Sequence, residues 1–147
     1  MRQSVWERLV IEQLRDIELK RAAYENAIDH IKRLKEEASK VRGPVLSTQP
    51  CEGGKLNKEE ERRLNNLSLC EEITANAKRL RKDLIVFDQA WNQLTNNEQI
   101  VLTYFFINRP KNHIDFLMEK LNYERSKIYY LKDDALYKLT MLLYASR

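Results

Sequence analysis

Glycine and proline are almost confined to one place in this chain. All three glycines and two of the three prolines fall within G-P-V-L-S-T-Q-P-C-E-G-G, from Gly43 to Gly54, and the remaining proline is Pro110. Proline fixes φ and lacks an amide donor, and glycine pays the largest backbone entropy on ordering, so this stretch opposes helix. The segments on either side carry no such break for dozens of residues. The chain is therefore expected to be all-α, with two long helices joined by a linker at 43–55. Charged residues make up 33% and hydrophobic ones 43%, the balance of solvated helices that each bury one stripe.

The stripes can be read directly. Val10, Leu14, Ile17, Tyr24, Ile28, Ile31 and Ala38 recur at spacings near three and four, interrupted by Arg21 and Lys35. This predicts one helix from about residue 3 to about residue 41, roughly 60 Å long at 1.5 Å per residue. Beyond the linker, Cys70, Ile73, Ala77, Leu80, Leu84, Phe87, Trp91 and Leu94 keep the same spacing without a polar interruption. That predicts a second helix of roughly 55 Å, matched in length to the first. Residues 1–94 are expected to form a long antiparallel hairpin of coiled-coil type. The same stripes suit pairing between chains, so a homodimer through the hairpin is a second possibility.

The texture changes at Leu94. Thr95 and Glu98 in T-N-N-E form a capping box before the run I-V-L-T-Y-F-F-I, with Val101, Leu102, Tyr104 and Phe106 as expected core. Asn108-Arg109-Pro110 ends that helix. Asn112 can cap the next one, His113 to Leu121, and Asn122 follows as a residue that tolerates left-handed geometry. A last helix from about Glu124 to Tyr144 would bury Ile128, Leu131, Ala135, Leu136, Leu139 and Leu142. Residues 95–147 thus read as a three-helix unit whose last two helices and turn form a helix-turn-helix.

Several function classes are excluded on chemistry. His30 and His113 sit in separate helices with no cysteine or serine placed as nucleophile, and the acidic pairs lie beside lysines and arginines as solvated charge. No enzyme activity is expected. Cys51 and Cys70 have neither C-x-x-C spacing nor a nearby histidine, so neither a disulfide framework nor a zinc site is expected, and no cofactor. G-G-K lacks the other residues of a phosphate-binding loop. The early charges exclude a signal peptide and no segment has the apolar length of a membrane span, so a cytoplasmic location is expected. Net charge is +4, spread over 26 basic and 22 acidic residues: an anionic partner is favoured only where the charge is locally arranged.

Such an arrangement occurs at the start of the last helix. An α-helix fits the major groove, and a helix-turn-helix presents the N-terminal part of its second helix to base edges. Here that part carries Arg125, Ser126, Lys127, Tyr129 and Tyr130, expected to face solvent and the bases. Arg125 can give guanine two hydrogen bonds, and the tyrosines offer apolar contact plus a hydroxyl. Lys127 and Lys132 suit phosphates; Arg109, Lys111 and Asn112, with the first amides of the preceding helix, suit them on the approach side. Double-stranded DNA is the expected partner.

The segments L-T-N-N-E-Q-I-V-L-T-Y-F-F and H-I-D-F-L-M-E-K-L-N-Y-E-R-S-K-I-Y-Y-L-K-D-D-A-L-Y-K-L resemble region 4 of bacterial sigma factors, over Leu94 to about Leu139. Phage and prophage transcriptional regulators of the ArpU and RinA type are similar in the I-Y-Y and A-L-Y-K-L segments. The resemblance implies a DNA-binding transcriptional regulator of phage or prophage genes; RNA polymerase is kept open as a second partner. Two positions depart from the family pattern: Met118 replaces a small residue in the first helix, and Asn122 replaces the glycine of the turn. Residues 1–94 have no counterpart to the promoter-melting and polymerase-binding regions, so a complete sigma factor is not expected. The alternative is a helical protein-interaction module that docks on RNA polymerase or on a phage packaging complex of small-terminase type.

Overall fold

A computed structural model describes residues 3–40 and 58–145. The predicted linker at 43–55, and Cys51 within it, lie outside the described residues. Those described are all-helical, with no strand among them: α1 (Val5–Lys40), α2 (Lys58–Asn92), α3 (Asn96–Leu102), α4 (His113–Leu121) and α5 (Arg125–Tyr144). A π-helical turn, Thr103–Ile107, continues α3. None of the helices is long and apolar enough to cross a membrane. The first two are the long ones, as the breaker-free stripes require.

The chain divides into two compact units, Met1–Arg21 with Lys82–Arg147, and Ala22–Arg81. In the first, Val101, Phe105, Leu117 and Ile128 form one buried cluster from α3, the π turn, α4 and α5. Val10 and Leu14 of α1 and Leu139 of α5 are also fully enclosed. Each such aliphatic side chain contributes about 1.5–3 kcal/mol by leaving water. Arg21 Nη2 donates to Asp88 Oδ1 at 2.6 Å, joining α1 to α2, and Trp6 packs on Tyr144 at 5.1 Å between ring centroids.

The capping box is present in altered form. Glu98 N–H donates to Thr95 Oγ1 at 3.3 Å, but the Glu98 carboxylate does not return to the Thr95 amide. Its Oε1 instead accepts from Thr95 Oγ1 at 2.9 Å and from Lys138 Nζ at 3.1 Å. Glu98 is buried, so a helix cap doubles as a tie from α3 to α5. That hydrogen bond and the carboxylate charge hold the Lys138 ammonium above the usual lysine range.

Three core assignments shift. Phe105, not Tyr104 or Phe106, is buried after Leu102, because it lies one α-turn beyond Val101 while its neighbours fall to either side. On α5, Thr140 is buried, its hydroxyl donating to the Leu136 carbonyl at 2.7 Å, whereas Leu142 is exposed. On α1, Leu34 is buried and Ile28 exposed. The half-buried Ala27 and the buried Leu34 lie seven apart, each one residue before the Ile28 and Lys35 positions of the expected stripe.

Candidate nucleic-acid interface

Asn122 sets the geometry of the site. It ends α4 at φ 56°, ψ 40°, in the left-handed region that asparagine tolerates better than other non-glycine residues. The chain then turns through Tyr123 and Glu124 into α5, and Ile128 anchors that helix among Val101, Phe105 and Leu117. Met118 is only partly buried at the edge of this cluster, which is how the larger side chain is accommodated.

With Ile128 inward, Arg125, Ser126 and Lys127 are exposed and Tyr130 is 72% exposed. Asp133, exposed one turn further along, shares the face of Ser126 and Tyr130. Tyr129 corrects the expectation of a solvent-facing tyrosine pair. It is half-buried, its ring edge-on to Phe105 at 5.8 Å, because it lies on the flank of Ile128 that faces α3. Lys132 is likewise engaged: Nζ lies 3.1 Å from Asp133 and 5.4 Å from the centroids of both Phe105 and Tyr129. Its charge is already matched. Lys127 Nζ stands 4.0 Å from the centroid of Tyr123, which draws it toward the turn and away from the Tyr130 face.

The approach residues converge where the sequence does not show it. Arg125, at the start of α5, lines a cavity of about 160 Å³ together with Lys111, Asn112, His113, Ile114 and Asp115 at the start of α4. Asn112 occupies the N-cap position but its side chain makes no capping bond; only its carbonyl enters the helix, accepting from Phe116 N–H at 3.0 Å. The amides of His113, Ile114 and Asp115 precede that first helical bond and stand at the positive end of the helix dipole. Lys111, Arg125 and the nearby Arg109 add full positive charges, with Asp115 the one carboxylate lining the cavity. Such an arrangement has the charge and the free amides that an anionic oxygen requires.

His113 is the buried polar group beside it. It packs edge-on against Phe105 at 4.9 Å, and its Nε2 has no hydrogen-bond partner among the described residues. Burial lowers its pKa from the usual histidine value, Arg109 lowers it further, and a bond to the Pro110 backbone works the other way. The unfolded chain therefore binds a proton that the folded chain refuses. Its stabilising contribution is fully present above the unfolded pKa of about 6.5 and is lost as pH falls through the lowered folded value. Thermal unfolding from about pH 7.5 to about pH 5.5 should show a larger fall in midpoint for the wild type than for His113→Gln. Equal falls would contradict this role for the imidazole.

Among the described residues, no three or more histidine, cysteine, aspartate or glutamate side chains gather as a metal site. A second aromatic-cationic group, which the sequence reading passed over, lies on α4. Phe116, about half exposed, packs on Tyr104 at 5.0 Å, and Lys120 Nζ lies over both rings at 5.3 and 5.8 Å. Its sequence signal is the i, i+4 spacing of Phe116 and Lys120. Comparison with protein-family models, with curated proteins and with solved structures finds no match to this chain.

Proposed function

We propose that the chain is a sequence-specific duplex-DNA-binding transcriptional regulator, without enzymatic activity, that uses α4 and α5 as a helix-turn-helix. The observation that carries the reading is the junction of Arg125 with Lys111 and Asn112 in one cavity at the start of α4. Read as a phosphate-binding position, it lies beside the exposed Arg125, Ser126 and Tyr130, as a protein needs in order to fix register and read bases together. Arg125 and Tyr130 are assigned to base edges, with Ser126 and Asp133 between them; a carboxylate there can accept from cytosine N4. Arg109, Lys111, Asn112 and Lys127 are assigned to phosphates. Lys132 and Tyr129 move from the contact set to its support, since both are packed against Phe105.

The resemblance to region 4 of sigma factors and to phage regulators supports the same assignment, with α1 and α2 as an antiparallel hairpin that presents the unit. A docking role on RNA polymerase is favoured by one feature, the exposed Val5, Trp6 and Leu9 at the start of α1. Selection of bound duplexes from a random pool distinguishes the two. DNA reading predicts an enriched motif that disappears with Arg125→Ala; a docking module predicts no enrichment, with polymerase recovered from nuclease-treated lysate.

A further inference from the structure

The unit Ala22–Arg81 is poorly covered. Among its described residues Leu34 and Ala77 are the buried hydrophobic side chains, with Tyr24, Ala27, Ile31, Ala38, Cys70, Ile73 and Leu80 only partly covered. On α2 the inward stripe is Asn66, Cys70, Ile73, Ala77 and Leu80. Another stripe lies on the opposite side at the same spacing: Glu60, Leu64, Leu67, Glu71, Ala75 and Lys78, all exposed, with Leu64 at 58% and Leu67 at 49%. A solvated helix face has no use for two leucines one turn apart, and both lie within a single unit.

The charges along this helix select the occupant. From Lys58 to Glu72 there are five acidic and three basic side chains, whereas from Ile73 to Arg81 there are three basic and none acidic. The outward stripe is also close to palindromic about Ser68 to Cys70. When the helix is laid antiparallel on a copy of itself, Glu60 meets Lys78, Leu64 meets Ala75, and Leu67 meets the methylenes of Glu71. Each leucine then packs on a small residue or an aliphatic stem, and each acidic end faces a basic one. A parallel copy sets Glu60 against Glu60 and Lys78 against Lys78, which the same charges oppose.

We infer that this face of α2, centred on Leu64 and Leu67, is a self-association surface whose partner is a second copy of the chain in antiparallel register. It does not depend on the DNA-binding assignment. Two leucines leave water on each helix, so Leu64→Lys with Leu67→Lys should raise the dimer dissociation constant by at least about 100-fold. Sedimentation equilibrium of the full chain reads this directly, the wild type giving twice 17.6 kDa. Charge reversal reads the register. Glu60→Lys with Glu61→Lys and, separately, Lys78→Glu with Arg79→Glu should each shift the chain toward monomer. An equimolar mixture of the two should recover the dimer, because each reversed end then faces its opposite. A helical circular dichroism spectrum confirms that each variant is folded. A monomeric wild type, a dimer indifferent to the leucine substitutions, or a mixture that stays monomeric would each overturn the proposal.

Discussion

Replacing Arg125 and Tyr130 together by alanine is expected to weaken binding to a selected duplex by about 100-fold or more, taking about 1–3 kcal/mol for each specific base contact. Folding should be unaffected. Both side chains are exposed, and neither takes part in the buried cluster around Ile128. Tyr129→Ala provides the contrast. Its ring is packed against Phe105, so the loss appears first in stability, on the order of 1–3 kcal/mol, and Tyr129→Phe should restore it. Titration by fluorescence anisotropy, beside thermal unfolding of the same variants, separates the two effects. Full affinity in the Arg125→Ala, Tyr130→Ala variant would remove this face from the interface.

The second large effect concerns the scaffold. Leu117 of α4 is fully buried with Val101, Phe105 and Ile128, and with Ile114, Met118 and Leu121 it packs α4 onto that cluster. Leu117→Ala removes its methyl groups and leaves a cavity that the packed neighbours fill only in part, at a cost of about 2–5 kcal/mol. That is a large fraction of the stability of a domain this size. Denaturant unfolding followed by circular dichroism should show the unfolding free energy fall by this amount. DNA binding should fall with it, because Arg125 and Lys111 share their cavity only while α4 and α5 are packed. A loss below about 1 kcal/mol would mean that the cluster is more plastic than its burial implies.

Much of this was legible in the sequence because helices declare themselves locally. Apart from Pro110, glycine and proline are confined to 43–54, which leaves α1 and α2 unbroken, and the Thr95–Glu98 pair marks the start of α3. Asn122 was readable as a left-handed position since few other residues accept it. Long-range placement was not readable in the same way. Tyr129 and Tyr130 are adjacent in sequence and chemically identical, and only the approach of Phe105 from another helix buries the first and leaves the second free. Lys132 has the composition of a phosphate contact, but Asp133 and two aromatic rings already surround its ammonium. The junction of Arg125 with Lys111 follows from how α4 and α5 pack, which periodicity does not encode. Glu98 shows the limit from the other side: a local capping residue acquired a distant partner, Lys138, forty positions away.

The central claim is that the surface around Arg125 binds duplex DNA through phosphates and bases together. The most direct measurement is the affinity of the full chain for a selected duplex as a function of salt, compared with a scrambled duplex of equal length. Log affinity should fall with log salt at about 0.9 per phosphate neutralised, and Lys111→Ala should reduce that slope by about one for each copy bound. Arg125→Ala should erase the preference for the selected over the scrambled duplex. A slope near zero, or equal affinity of the wild type for both duplexes, would contradict the account.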